Sequence, residues 1–406
     1  MSTLLKPAAD WELANIIADA SARRVQLEVL GSGTRQNIGR PLRAAAQLTT
    51  RGMIGTVLYE PNELVMTARA GSTLSEIESQ LAKNRQMLPF EPLDLGPLFG
   101  REAGQSTVGG AFATGWSGAR RVHSGAARDH LLGIGFVTGH GELLRAGGRV
   151  MKNVTGYDVG RALAGSWGTL ALMTEVTFKV VPQPESTATL AVFGLPDEIA
   201  IEVLCKAMST PYEITGAMHV QQAPASRLWQ SQIRGYGKAA TVMRLEAPQS
   251  SIDYRTGKLR QLLKAYGDLH VVGAAASLEF WQECRMLTPM HGSTRPLWRI
   301  STAPRLGPTV VAAIARYMEV DAIYDWSGGL IWLEVPASAD AGATDIRRVL
   351  ALHGGHATLV RAEASVRSVV DVFQPLEPGI ERLSRRLKQT FDPAGILNPG
   401  RMYSTM

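Results

Sequence analysis

Val25-Gln-Leu-Glu-Val-Leu-Gly-Ser-Gly-Thr34 is the stretch on which the fold turns. Its first six residues suit a strand, and the glycine pair that follows suits a tight turn whose backbone can approach another group closely. A strand entering a glycine turn first suggests a dinucleotide fold. Here Gly31-Ser-Gly-Thr-Arg-Gln36 lacks the third glycine of GxGxxG, and Pro41 falls where a Rossmann helix should be running. No P-loop pattern is present, so a phosphate would be held by another device. Consecutive backbone N–H groups in glycine-rich turns form anion-binding concavities without a lysine. Two stretches qualify: Gly31 to Thr34, and Ser106-Thr-Val-Gly-Gly110, which opens a run of small residues over 111–118. Taken singly, a tight turn explains either one.

Working outward, Asp10 reads as the N-cap of a helix burying Trp11, Leu13, Ile16 and Ile17. Extended segments follow at 55–60 and 64–70. A helix is then opened by the capping box Thr73-Leu-Ser-Glu76, with Leu74, Ile77 and Leu81 on one face. Residues 96–168 hold 18 of the 41 glycines, whereas 186–365 hold 14. The apolar runs 131–137 and 170–181 argue against a linker and favour a glycine-rich backbone that wraps closely around something.

The character changes between Pro182 and Pro184. From 187 to 362 the chain reads as two copies of one supersecondary unit. The first has strands near 187–193, 214–220, 240–246 and 269–275 and helices near 197–208 and 252–266. The second has strands near 297–303, 321–325, 330–335 and 356–361 and helices near 308–318 and 343–353. Both follow the β-α-β-β-α-β order of ferredoxin-like folds. The last piece, a helix near 379–390 stopped by Asp392-Pro393 and followed by Gly395-Ile-Leu-Asn-Pro-Gly400, has too few apolar residues to fold alone. The fold class is therefore α+β, with domains at 1–182 and 186–365 and a segment, 366–406, that docks back on the first.

The length of 406 residues supports two or three cores. A hydrophobic share of 45% against 19% charged residues excludes disorder. The net charge of +6 raises nucleic acid as a partner, but basic residues never gather into a run of five or six. The densest cluster, Arg382, Arg385, Arg386 and Lys388, is interleaved with Leu383 and Leu387 and reads as a solvated helix face. Nucleic acid is not an expected partner; the charge equally suits anionic small molecules. Cys205 and Cys284 are too few for a disulfide framework or an iron–sulfur cluster. No metal site is expected. No apolar stretch is long enough to span a membrane, so a cytoplasmic protein is expected, or one peripheral on the inner membrane through its partners.

The motifs taken in order resemble those of the vanillyl-alcohol oxidase and p-cresol methylhydroxylase (PCMH-type) FAD-binding superfamily. They are Gly31-Ser-Gly-Thr34, Ala70-Gly-Ser-Thr-Leu74, Leu88-Pro-Phe-Glu-Pro92, Ser106-Thr-Val-Gly-Gly110, Ser124-Gly-Ala-Ala-Arg-Asp129, Gly156-Tyr-Asp158, Gly165-Ser-Trp-Gly-Thr-Leu170, Met173-Thr-Glu175 and Phe391-Asp-Pro-Ala-Gly-Ile-Leu-Asn-Pro-Gly400. The resemblance covers 10–182 and 366–406. It implies a two-subdomain FAD-binding domain with a ferredoxin-like α+β cap. Within the superfamily, Gly115-Trp-Ser-Gly118, 150–158, Ala164-Gly-Ser-Trp167 and Leu297-Trp-Arg-Ile300 are most similar to the FAD-binding subunits of bacterial glycolate oxidases. Such subunits work with a larger FAD-containing subunit and an iron–sulfur subunit, oxidising the 2-hydroxy acid glycolate to glyoxylate.

By position, the resemblance implies that Gly31, Ser32, Gly33 and Thr34 line the pyrophosphate, with Pro92, Ser106, Thr107, Gly109 and Gly110 opposite. Gly125, Arg128 and Asp129 would run beside the flavin ring, and Gly165, Gly168, Thr169 and Met173 near the adenosine half, with Asn398 returning to the cofactor. Trp167 stands where many relatives carry Glu, so that carboxylate contact does not carry over. Neither His nor Cys occurs in the Gly31 to Pro41 loop, so noncovalent FAD is expected.

Oxidising a 2-hydroxy acid needs a cation for the carboxylate and a base for the hydroxyl proton. Arg299, on a strand of the second region, and His123, just before Ser124-Gly125, are the candidates. His353 and His356 read as a loop at a strand start, His291 as a lone histidine, and Trp326 and Trp332 as packing. The alternatives are a stand-alone 2-hydroxy acid dehydrogenase of D-lactate type, or an electron-transfer or assembly subunit without its own catalytic site.

Overall fold

The protein is described by a computed structural model over residues 3–149 and 157–406. The stretch 150–156 singled out above lies outside the described residues. Strands β1 (Thr3–Leu5), β2 (Leu27–Leu30) and β3 (Ala46–Thr49) form a parallel sheet in the order β1-β3-β2. Next come β4 (Thr56–Glu60), β5 (Val65–Arg69), β6 (Gln86–Met87), β7 (Leu131–Thr138), β8 (Leu143–Gly147), β9 (Ala171–Lys179) and β10 (Val181–Pro182). Five of these make an antiparallel sheet, β4-β5-β9-β7-β8, and β6 pairs with β10. Together with the Pro378–Phe391 helix and the residues after it, they constitute one compact unit, 1–117, 126–183 and 375–406.

Among the described residues this unit has two cores, and β7 and β9 serve both. Met173, Val176 and Phe178 pack with Phe136, Phe112, Ile77 and Leu81, beneath the helices Leu74–Ala82 and Val108–Thr114. Leu172 and Val137 instead join Leu13, Ile17, Leu27, Leu48, Ile396 and Leu397 around the Asp10–Ala22 helix. A register shift between Gly135 and Phe136 moves the inward positions of β9 from Met173 to Val176, so strict alternation fails there.

The first helix differs from expectation. Ala9 is its N-cap and Asp10 its first residue, while the Glu12 carboxylate accepts from the N–H of Ala8 and Ala9. Asp10 instead pairs with Arg69. Only Leu13 and Ile17 of the four expected residues are buried; Ile16 is half-buried and Trp11 is exposed. The capping box at Thr73 forms as expected, with Glu76 accepting from Thr73 N at 2.7 Å.

The second unit comprises 118–125 and 184–374. Its strands are β11 (Ser186–Phe193), β12 (Gly216–Val220), β13 (Ala240–Ala247), β14 (His270–Val272), β15 (Leu297–Ser301), β16 (Asp321–Asp325), β17 (Leu330–Glu334) and β18 (His356–Arg361). They form one sheet ordered β14-β11-β13-β12-β16-β17-β15-β18. Each half, read from its own first strand, has the order 4-1-3-2, and the two second strands, β12 and β16, join antiparallel through His219↔Tyr324 and Val220↔Ile323. β14 stops at Val272 rather than 275, because a helix not foreseen, Ala274–Met286, begins there and buries Phe280 and Trp281. Residues 366–374, expected with the last segment, sit in this unit: Leu359 N donates to Val372 O and Arg347 to Gln374 Oε1. Among the described residues no helix is long and apolar enough to cross a membrane.

The β12–β16 joint carries a buried polar network. Asp197, first residue of the Asp197–Met208 helix, accepts from His219 Nε2 (3.1 Å), Tyr324 OH (2.6 Å) and Gln221 Nε2 (2.7 Å). Burial alone would raise the Asp197 carboxyl, but these hydrogen bonds and the nearby imidazole outweigh it and hold it below the ordinary carboxylate range. Its stabilising effect is therefore present above about pH 4 and lost as the pH falls through the lowered value. Asp197→Ala leaves the buried His219 and Tyr324 donors unmatched and should destabilise the second unit by about 2–3 kcal/mol in urea titrations at pH 7. A wild-type midpoint would show the network to be dispensable.

Candidate functional site

The cleft of the first unit is built from four places far apart in sequence. Its lining includes Gly31, Ser32, Gly33 and Thr34 after β2, then Thr107, Gly109 and Gly110, then Gly168 and Met173, and finally Asn398. Packing demands explain the glycines. A methyl on Gly31 would overlap the Thr107 side chain, and a Cβ on Gly109 would sit 2.8 Å from Ala70 Cβ and 2.9 Å from Ala70 O. Gly33 and Gly168 have φ of +72° and +68°, which side-chain-bearing residues adopt at a cost. Thr107 caps the Val108–Thr114 helix through Gly110 N at 3.1 Å, and the Thr49 hydroxyl ties down Gly31 O at 2.7 Å.

Asn398 closes the cleft from the far end of the chain. Its Oδ1 accepts from Val29 N at 2.7 Å, and its Nδ2 donates to Trp167 O at 2.8 Å and Val29 O at 3.2 Å. It holds φ of +44°, and Trp167 holds +56°, so two residues with side chains sit in the left-handed region side by side in this site. Lys388 secures the same segment: its Nζ donates to Thr169 O, Asp392 Oδ2 and Leu397 O at 2.7, 2.7 and 2.9 Å. Burial lowers this ammonium, and Asp392 opposes the shift. The tail is thus anchored by hydrogen bonds and by the buried Ile396 and Leu397 rather than by a core of its own.

Several expected residues lie outside the lining. Ser106 is fully buried behind Thr34, its hydroxyl 3.2 Å from Thr34 Oγ1 and donating to Asp94 at 3.1 Å. Pro92 is buried and bridges to Ser117. Gly165 shapes the turn before Trp167, and Thr169 bonds back to Ser166 O. Arg128 and Asp129 are exposed, with the Asp129 carboxylate accepting from Ala126 N at 2.8 Å. Gly125 belongs to the second unit, where it ends the Arg121–Ser124 helix at φ +83°. Conversely, the lining includes Glu28, Gln36, Trp167 and Arg401, which sequence reasoning did not select. Glu28 accepts from Gln36 and Gln47 and lies 3.5 Å from Arg401. The signal missed was Arg401 itself, one residue beyond the Asn-Pro-Gly motif.

The cleft suits an extended anionic ligand. Ser32 Oγ is buried without a partner among the described residues, and the backbone at 31, 33, 109 and 110 carries no side chain to fill the space.

In the second unit, strand register gathers a different group. Arg299 pairs across with Trp332 on β17 and Thr358 on β18, and the neighbouring row on that face holds Ser301 and the exposed His356. Arg299 is buried, with its guanidinium 5.3 Å from the Trp326 ring and 5.9 Å from that of Trp332, while Arg121 lies 4.6 Å from the Trp326 ring. Burial, with the positive charge of Arg121, pushes Arg299 down to about 10 against the pull of Asp325. Desolvation and then both arginines hold His356 below its ordinary value, so it is neutral at pH 7. Trp326 and Ser327 are consecutive left-handed residues, φ +52° and +58°, with Trp326 Nε1 donating to Gly118 O at 3.0 Å. Trp326 is thus a ring shared by two cations as well as packing. Two guanidiniums held against one ring concentrate positive charge on this face of the sheet, which favours an anion nearby. Arg121 was not selected from the sequence. His123 is exposed, 3.3 Å from Ser124 Oγ, and does not join the group.

Comparison with known proteins now bears on both units. Residues 2–147 match the FAD binding domain family. The chain is 36% identical to "Glycolate oxidase subunit GlcE" of Escherichia coli (strain K12) over 393 residues, 96% of each chain. It is 28% identical over 190 residues to a D-lactate dehydrogenase of Archaeoglobus fulgidus, covering 47% of this chain and 41% of that one. In three dimensions it matches p-cresol methylhydroxylase with substrate bound, at a TM-score of 0.71 and 13% identity, over 98% of this chain and 88% of the other. The fold is accordingly the PCMH type, and the chain belongs to the FAD-dependent oxidoreductase family that includes the glycolate oxidase subunit GlcE.

Proposed function

We propose that this chain is the FAD-binding subunit of a multi-subunit glycolate oxidase, supporting the oxidation of glycolate to glyoxylate with electrons passed to an iron–sulfur partner. End-to-end similarity to a glycolate oxidase subunit is the observation that carries this reading. Gly31, Ser32, Gly33, Thr34, Thr107, Gly109, Gly110, Gly168, Met173 and Asn398 would hold the FAD, with Ser32 Oγ free to donate to it. When bound, the flavin supplies a two-electron acceptor. The absence of His and Cys from the glycine turn supports noncovalent attachment; acid precipitation should release all the yellow colour into the supernatant.

Arg299 and Arg121 supply the positive charge for a substrate carboxylate, and His356 a neutral imidazole on the same sheet face. That group, with the D-lactate dehydrogenase relative, favours a second reading in which the chain oxidises a small 2-hydroxy acid unaided. Anaerobic mixing of the FAD-loaded chain with glycolate or D-lactate separates the two. Bleaching by the chain alone supports the second; bleaching only in the presence of its partners supports the first. In either case Arg299→Ala should raise the half-saturating glycolate concentration about tenfold or more, since a buried ion-paired contact is worth about 1.5–3 kcal/mol. Its flavin content should not change. An unaltered concentration dependence would remove Arg299 from the carboxylate role.

A further inference from the structure

The Pro378–Phe391 helix leaves an apolar ridge in solvent. Ile380 and Leu383 are 54% and 55% exposed and Leu387 36%, although the adjoining side of the helix, about 100° round from Leu387, is fixed inward by Lys388. At 100° per residue these three positions fall within roughly 60° of the circumference. That is narrower than the stripe of at least about 100° by which a helix lies on a core or a lipid surface. The spacing 380, 383, 387 is the a-d-a pattern of a helix–helix seam, with Ile380 and Leu387 at a and Leu383 at d.

Charge decides what would lie on it. The helix carries one acid, Glu381, against Arg382, Arg385, Arg386 and Lys388. Glu381 is taken by Arg385 at 2.6 Å, and Lys388 is turned inward to Asp392. Arg386 is exposed at the seam-flanking g position, and Arg382 is exposed further round the helix, at c. A second copy of the same helix would bring like charge, whereas a helix with carboxylates at its flanking positions would be matched.

We propose that Ile380, Leu383 and Leu387 form the docking seam for one helix of a partner subunit that carries Glu or Asp beside its own apolar seam. This rests on the heteromeric reading above. The test is co-expression of the tagged full chain with the larger flavin subunit and the iron–sulfur subunit, with co-purification and binding measured at low and high salt. Ile380→Glu/Leu383→Glu should weaken the partner at least tenfold while leaving flavin content and melting temperature unchanged. Arg382→Glu/Arg386→Glu should weaken it chiefly at low salt. If the wild-type assembly forms and the Ile380→Glu/Leu383→Glu variant holds it equally well, the seam is wrong and the heteromer stands. If wild type retains neither subunit, the heteromeric reading itself fails. Flotation of the wild-type chain alone with phosphatidylglycerol vesicles, or sedimentation as a dimer, abolished in either case by Ile380→Glu/Leu383→Glu, would overturn the proposal in favour of lipid or self-association.

Discussion

Asn398→Asp should empty the cleft of flavin at neutral pH. In the wild type the Nδ2 amide donates to Trp167 O and Val29 O, so an aspartate there sets a carboxylate oxygen against two carbonyl oxygens in a site only 2% exposed. A buried charge left uncompensated costs about 3–5 kcal/mol. Both retained FAD and the melting temperature should fall at pH 7.5. Burial will raise the new carboxyl, and once protonated it can donate one of the lost bonds. Flavin retention should therefore recover partly as the pH is lowered towards 5, and Asn398→Ala should show no such recovery. Full flavin occupancy of the Asp variant at pH 7.5 would falsify the anchoring role.

The next largest effect is expected at Gly31. Its backbone needs no unusual dihedral, so the only obstacle to alanine is space: the added methyl meets Thr107 Oγ1 and Cγ2 across the cleft. Relieving the overlap forces the two walls apart at about 1–3 kcal/mol, so Gly31→Ala should bind FAD ten- to a hundredfold more weakly. Thr107→Ala removes the clashing atoms but loses the cap on Gly110, worth about 1 kcal/mol. The double variant should bind FAD more tightly than Gly31→Ala alone, a coupling that two independent losses would not produce. Fluorescence titration with free FAD measures all three; simple additivity would mean that the two walls do not meet in solution.

What the sequence revealed and what it hid follow from the range of the forces involved. The Thr73–Glu76 box was legible because both partners lie within one turn. The repeated β-α-β-β-α-β order was legible because its strands are short apolar runs set between longer helical stretches, whereas the Ala274–Met286 helix between the two halves left no such signal. The union of the two halves through β12 and β16 was not, since two backbone rungs leave no local pattern. Trp11 was misplaced because a helix face predicts which residues share a side, not how far the neighbouring layer extends. In the cleft, the glycine turns announced themselves by composition, whereas Glu28 and Arg401 acquire their places only from each other. Arg121 was missed for a related reason: 118–125 lies inside the glycine-rich region but folds with the second unit.

Asn398 and Val29 are 369 residues apart along the chain. A ribosome adding about 5–20 residues per second needs roughly 20 to 70 seconds to cover that distance. Throughout that interval the nascent protein carries a glycine turn with no back wall, so on the proposed role of this cleft flavin capture must wait until residue 398 has emerged. Translation products ended before residue 398 would carry no flavin, and colour in an expressing cell would report only molecules extended beyond it.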